Sequence, residues 1–379
     1  MKVQSPARFL LSLVALIVVA LAPAAVRAQD ARSALTNFPE SQAVLYINAR
    51  RLINEAAPTV VPPEVLNKAL ADAKQFIDLN GIEYVIAGAR LKGDMSAKQM
   101  PEFLLIMRGN FSADALLSGA RMMGQDMYTQ ETVGTRTINV FTLNKPAPAD
   151  DAPAAGQQKS KKFPIDQIAA VALDANTIAV GIPAYLRDAI AEGGERPRLK
   201  PELVDLAMRD ANTLVSMVAD IPVGMSQHLR AMGAPANAEM QRMVDAVRQV
   251  QVAVSMQPST FGVQSIIRMD DAEKASALSG LVNMGLGFVK GEIAKELQKA
   301  GASDKEDKAA LLRVIETLTN AARGTDVELG LTFQQASLVE VIKRQMMPKA
   351  KKQETALAPA PGAKKGAGVK RRPARPRRR

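Results

Sequence analysis

Apolar residues recur with two periods along this chain. Ala43–Asn48 (AVLYIN), Ile82–Leu91 and Phe103–Gly109 are short apolar runs bounded by Gly, Pro or polar residues, and they predict strands. Between them the period lengthens to that of a helix. Pro62-Pro63 opens such a stretch, with Val65, Leu66, Leu70, Ala73, Phe76 and Ile77 on one face and Gly81 beyond its end. A second helix is predicted from Ser112, where Ser112 and Asp114 suit a helix start. Met127–Leu143 reads as a hairpin around Val133-Gly134-Thr135. Two strands, Ile168–Leu173 and Thr177–Gly181, flank an Asp174-Ala175-Asn176 turn, and a helix starts near Pro183.

At Ala211 the order restarts. Thr213–Ala219 predicts a strand, and Ala238–Val250 a helix with Met240, Met243, Val244 and Val247 on its apolar face. Strands follow at Val250–Met256 and Phe261–Arg268, then a long helix over Asp271–Lys299. After a polar break at Gly301–Lys308 the pattern predicts a helix over Ala309–Arg323. A closing hairpin is predicted from Val327–Phe333 and Ala336–Val341 around Gln334-Gln335. The clearest internal match sets Leu117-Ser118-Gly119, with Met123-Gly124, against Leu278-Ser279-Gly280, with Met284-Gly285, 161 residues further on. Phe103–Arg108 aligns with Val263–Arg268 just upstream. Each match is a strand followed by a helix at the same place in the order, which predicts a duplicated module. The expected fold class is therefore α+β, with two similar modules, each an antiparallel sheet with helices packed on one face.

The ends do not follow this pattern. Lys2 and Arg8 precede the apolar run Phe9–Ala22, Pro23 breaks it, and Val26-Arg27-Ala28 places small residues at the −3 and −1 positions. This is a secretory signal pattern, with cleavage expected after Ala28 and a periplasmic or secreted body. The competing reading is an uncleaved anchor, since the uncharged run Phe9–Val26 has 18 residues, near the lower limit for a span. The expected division is signal peptide 1–28, linker 29–37, first module 38–200 with a flexible Pro/Ala/Lys insertion at 144–163, second module 201–347 and disordered basic tail 348–379.

Charge sharpens this division. The chain has 379 residues and a net charge of +11. Residues 348–379 hold twelve bases and one acid, so the tail alone carries +11; residues 1–28 carry +3 and the body −3. The basic balance thus describes an arm, and Lys364, Lys365, Lys370, Arg371, Arg372, Arg375, Arg377, Arg378 and Arg379 are its expected polyanion contacts. Behind a signal peptide the available polyanions are anionic lipid, lipopolysaccharide or acidic polysaccharide. The alternative is a tail that only solubilises. Nothing in it reads a base sequence, so no sequence-specific nucleic acid is expected.

Candidate chemistry is sparse. No Cys excludes disulfides, thiolate metal sites and a cysteine nucleophile, and the single His, His228, excludes a His-pair metal site within one chain. No Gly-x-Ser-x-Gly elbow accompanies His228, which reads as a surface or capped residue. Asp270-Asp271 lie where a strand meets a helix and read as a cap rather than a metal pair. Asp150-Asp151 read as solvated loop residues. Gly285-Leu-Gly287 with Gly291 lacks the Gly-Lys-Ser/Thr ending of a phosphate loop, so close helix packing is expected there. Met122, Met123, Met240, Met243, Met284, Met346 and Met347 read as core filling, against the alternative of an adaptable groove for a peptide or lipid.

Phe38-Pro39-Glu40 before Ala43-Val44-Leu45-Tyr46-Ile47, together with the signal pattern and the repeated order, resembles families of exported bacterial proteins with a domain of unknown function. Those families open their mature domain with a Leu/Phe-Pro motif before a first strand. The resemblance implies a secreted, non-enzymatic domain and supplies no functional residue. The expectation is an exported binding or scaffold protein of the cell envelope, without catalytic residues, metal or cofactor. The alternatives are a periplasmic carboxylate-based enzyme with a cleft between the modules, and an extracellular nucleic-acid binder.

Overall fold

The computed structural model describes residues 30–74, 77–91, 101–124, 127–144, 165–191, 197–224, 226–227, 238–299, 312–337 and 339. Twelve strands form one sheet in the order β11-β12-β10-β9-β8-β1-β2-β3-β7-β6-β5-β4, and the pairings between them are antiparallel. The strands are β1 (Ala43–Ile47), β2 (Ile82–Arg90), β3 (Glu102–Gly109), β4 (Tyr128–Val133), β5 (Arg136–Thr142), β6 (Gln167–Asp174), β7 (Thr177–Gly181), β8 (Thr213–Asp220), β9 (Val247–Met256), β10 (Thr260–Met269), β11 (Thr319–Arg323) and β12 (Asp326–Gln334). This is a mixed helix-and-strand fold built on a large antiparallel sheet.

The sheet has a centre. There β1 pairs with β8, so the two stretches of chain join edge to edge. Outward from β1 run β2, β3 and β7; outward from β8 run β9, β10 and β12. On each side three strands in chain order are followed by a helix, and a later hairpin then lays its second strand beside the third. The β4–β5 hairpin extends the first side alone.

Helices lie on both faces of this sheet, not on one. Residues alternate sides along a strand, so Leu104, Ile106, Ala169, Val171 and Ala179 share one face, and Met107, Ala170, Ala172, Ile178 and Val180 the other. The first face carries the largest core. It packs α1 (30–36), α5 (Pro183–Ile190) and α6 (Pro201–Ala207) through Leu35, Tyr185, Leu186, Leu203 and Leu206. The second face carries α2 (49–60, with a π-helical turn over Leu52–Ala56), α4 (Ala113–Gly124), α7 (Ala238–Ala246) and α8 (Ala272–Lys299) in smaller clusters. Between them, α3 (Pro63–Lys74) has the expected helical period but no fully buried residue. At mid-sheet on the second face, the rung Val252–Met217–Leu45–Ala87–Leu105 is wholly apolar, and Met217 remains 49% exposed.

Several expectations are corrected. The stretch 29–37, read as a linker, holds α1 over 30–36. Its Ala31 and Leu35, with Phe38 beyond, fall at helical spacing and are buried. The helix expected over Ala309–Arg323 is a single turn over 312–316; Thr319–Arg323 is strand β11, whose backbone pairs with β12. The closing hairpin therefore turns at Gly324-Thr325 rather than at Gln334-Gln335, and Gly324 takes the left-handed φ of 59° that such turns need. The helix expected to reach Val250 stops at Ala246, because Val247 already pairs in β9. The insertion 144–163, beyond Asn144, and the tail 348–379 lie outside the described residues, as does the signal segment.

Candidate functional site

Beneath α1, on the first face of the sheet, lies a cavity of about 630 Å³. Its floor is made by β2, β3 and β7, one wall by α1 and another by the end of α5. The floor rung is Tyr84–Arg108–Thr177, three residues directly opposite one another across three strands. Period-two alternation puts them on the same side as Ile86 and Ile106, so the rung continues an apolar face into a polar patch.

The floor residues are partnered to different degrees. Thr177 is 5% exposed, and its Oγ1 has no hydrogen-bond partner. An unpaired buried hydroxyl of this kind costs about 1–3 kcal/mol. Tyr84 is equally buried, and that burial pushes its hydroxyl pKa above the ordinary value; nearby Arg108 opposes the shift, while Asp30, Asp174 and Glu83 add to it. Arg108 forms ion pairs with Glu83 Oε2 and Asp174 Oδ2, each at 3.7 Å, longer than a direct hydrogen bond. Arg136 and Arg198 also line the cavity, but as structural clamps. Arg136 Nη1 donates to the carbonyls of Leu173 at 2.6 Å and Ala172 at 3.2 Å, and Arg198 Nη1 donates to the Asn37 carbonyl at 2.7 Å.

A rung on the far side of the β1–β8 junction is built differently. There the rung is Gln249–Arg268–Asp326. Arg268 makes a two-point contact with Asp326, at 2.8 and 3.1 Å, and donates to Gln249 Oε1 at 3.1 Å. Arg209 adds contacts to Asp326 at 3.5 Å and Glu328 at 2.6 Å. Arg268 is thus held by short, two-point contacts, whereas Arg108 is held by two longer ion pairs.

Other marked residues fall elsewhere. Asp271 caps α8, its Oδ1 accepting from the Lys274 backbone at 2.8 Å, whereas Asp270 forms ion pairs with Arg248 and Lys274 instead. Ser112 caps α4 in the same manner, Oγ accepting from Ala115 at 3.2 Å. Met122, Met123, Met240 and Met284 stand exposed rather than filling the core, and only Met243 packs against a cluster. Those exposed side chains lie on the sides of α4, α7 and α8 turned from the sheet, so helical spacing marks an apolar stripe without saying which stripe faces inward. His228, Asp150-Asp151, Met346, Met347 and the tail residues Lys364 to Arg379 lie outside the described residues. Among the described residues no cluster of His, Cys, Asp or Glu could hold a metal ion, and no helix is long and apolar enough to cross a membrane.

The cavity went unmarked in the sequence. Tyr84, Arg108 and Thr177 come from three strands, and only the register of β3 between β2 and β7 brings them together. The one available signal was Arg108 itself, a charge at the end of an apolar run (FLLIMR) aligned with Arg268.

No family model matches the sequence, and no curated protein matches it. Solved structures of TP0453 are similar to the chain. Crystal form IV shares 10% identity at a TM-score of 0.40, over 81% of this chain and 95% of that one. Crystal form III shares 10% identity at a TM-score of 0.41, over 82% of this chain and 97% of that one.

Proposed function

We propose that the chain is an exported, non-enzymatic binding protein of the cell envelope, whose body holds a small ligand in the cavity beneath α1 and whose basic tail contacts polyanions. One observation carries the body's part. A cavity of about 630 Å³, within the size range of ligand pockets, has on its floor the Thr177 hydroxyl, which has no hydrogen-bond partner, and the Arg108 guanidinium, ion-paired with Glu83 and Asp174 at 3.7 Å. The carboxylates at its edge, Asp30 and Asp174, are exposed. This favours binding over the carboxylate-enzyme alternative, which calls for buried acids with raised pKa values. The tail's part rests on its +11 and on the signal pattern before the body.

The reading includes an internal duplication. Its support is the matching strand order on either side of the β1–β8 junction, the matching caps Ser112 and Asp271, and the shared arginine position of Arg108 and Arg268. On this reading one copy keeps a tight arginine–carboxylate pair where the other keeps looser pairs beside a cavity.

Native mass spectrometry of the full chain, purified without denaturation, tests the body's role. A small molecule retained by the wild type and lost from Ser33→Trp, which narrows the cavity mouth at an exposed position of α1, is the expected result. Absence of any retained molecule, with no stabilisation by any member of a broad metabolite set, would sink it. For the tail, sedimentation with anionic liposomes at low and high salt should fall on deletion of 348–379; unchanged sedimentation of the truncated chain refutes that part.

A further inference from the structure

We infer that the outward face of α8 is a self-association surface, on which the α8 of a second copy of this chain packs antiparallel about Met284. This goes beyond the binding reading above and is independent of it, since the cavity lies on the other face of the sheet. α8 is apolar on two sides. Its inner side packs on the sheet and α7 through Ala275 and Leu278. Its outer side repeats apolar residues at alternating intervals of four and three, Ala277, Leu281, Met284 and Phe288, and no charge falls between Lys274 and Lys290. Such spacing is that of a seam between two packed helices, and a helix apolar all round is one that is covered. Among the described residues nothing covers this side: Met284 is 72% exposed and Phe288 71%. Gly280, Gly287 and Gly291 run beside the seam, and a Cβ at any of them would meet open space. The close helix packing expected of glycines here is therefore not made within the described chain.

The seam complements itself. When two α8 helices lie antiparallel about Met284, Phe288 of one copy stands at the height of Gly280 of the other, Leu281 at Gly287, Ala277 at Gly291 and Lys295 at Glu273. Each apolar side chain thus meets a position without one, as in ridges packed into grooves. Parallel pairing would set Phe288 against Phe288 and Lys295 against Lys295. The charge pair serves register more than strength, because Lys295 already pairs with Glu292 at the surface. An anionic lipid surface fits less well, since Glu273, Glu292 and Glu296 outnumber Lys295 among the exposed charges of α8. The basic tail offers few large apolar side chains to cover the seam. From Ala277 to Lys295 the seam is about 27 Å long. That is short for a permanent dimer interface, so a concentration-dependent equilibrium is expected.

Analytical ultracentrifugation of the full chain should show the mass rising with concentration from one chain to two. Phe288→Glu, at an exposed position, should raise the dissociation constant at least tenfold with the circular dichroism unchanged. The chain has no Cys, so single cysteines report the geometry directly. Under mild oxidation Met284→Cys should give a covalent dimer, whereas Asn283→Cys, exposed at nearly the same height but turned about 100° away, should not. Phe288→Cys and Gly280→Cys should cross-link as an equimolar mixture and far less alone. Each alone is about 12 Å from its own counterpart along the axis, beyond disulfide reach. These cross-links decide the matter should Phe288→Glu fold poorly. A chain monomeric at every concentration, Phe288→Cys cross-linking as readily with itself as with Gly280→Cys, or a dimer indifferent to Phe288→Glu overturns the proposal. In a monomeric chain, loss of phosphatidylglycerol-vesicle binding by Phe288→Glu would give the face to lipid. A Met284→Cys thiol shielded from a maleimide in such a chain would give it to the chain's own apolar segment 338–347, and either result overturns the proposal.

Discussion

Tyr46 lies on a rung between Ser216 of β8 and Ile86 of β2, at the junction of the two halves, and is 5% exposed. Burial, helped by neighbouring Tyr84 and opposed by Arg51, pushes its pKa from 10.0 up to about 12. A phenol whose pKa is raised on folding holds its proton more tightly in the folded state. Its contribution is therefore complete below pH 10, where the unfolded chain keeps the proton too, and is lost as pH rises towards about 12. Two units correspond to roughly 3 kcal/mol. Urea unfolding midpoints measured from pH 9 to 12 should fall steeply in the wild type. Tyr46→Phe should remove about that share of the fall while changing little at pH 8. If the Tyr46→Phe variant loses stability as steeply as the wild type, this phenol does not drive the alkaline transition.

Among the elements, the closing hairpin is one whose position the pattern misplaced, and its turn is accessible to a clean test. Gly324 holds a φ of 59°, and a Cβ there would meet open space, so an alanine is strained by its backbone alone. Gly324→Ala should cost about 1 kcal/mol and lower the melting temperature by a few degrees, whereas Gly119→Ala, in α4 with equally open surroundings, should not destabilise. Equal melting of both variants would remove the strain argument. The contrast also explains what could be read in advance. Strands β1, β2, β3, β6, β7, β8 and β10, the β4–β5 turn and the starts of α3, α4, α5 and α8 follow from local period, capping and turn residues, and these were legible. The β11 segment, Thr319–Arg323, carries helix-compatible residues (TNAAR), and only cross-strand pairing with β12 makes it a strand. α6 and α2 gave too short or irregular a period to register. The cavity was invisible for a related reason: register across three strands is a tertiary property, and no spacing within one strand encodes it.

At the scale of the whole molecule the question is whether the halves behave as separate domains. The boundary expected at 200/201 runs between Lys200 and α6, yet α6 delivers Leu203, Val204, Leu206 and Ala207 into the same core as Tyr46, Ile86 and Leu104 of the first half. Val218 and Ile266 of the second half join that core, and β1 and β8 share a hydrogen-bond ladder across the junction. Ion pairs cross it as well: Arg32 of α1 pairs with Asp205 of α6. An interface that is itself the largest core leaves neither half a complete apolar face of its own, so the two should unfold together. Calorimetry of the full chain should show one transition. Leu203→Ala, at a site with no solvent exposure, should cost about 2–5 kcal/mol and shift that whole transition downward. Two resolved transitions, of which the substitution moves only one, would mean that the shared core is not what makes the body a single cooperative unit. On the proposed function, deletion of 348–379 is expected to change the salt dependence of polyanion binding and to leave this transition where it was.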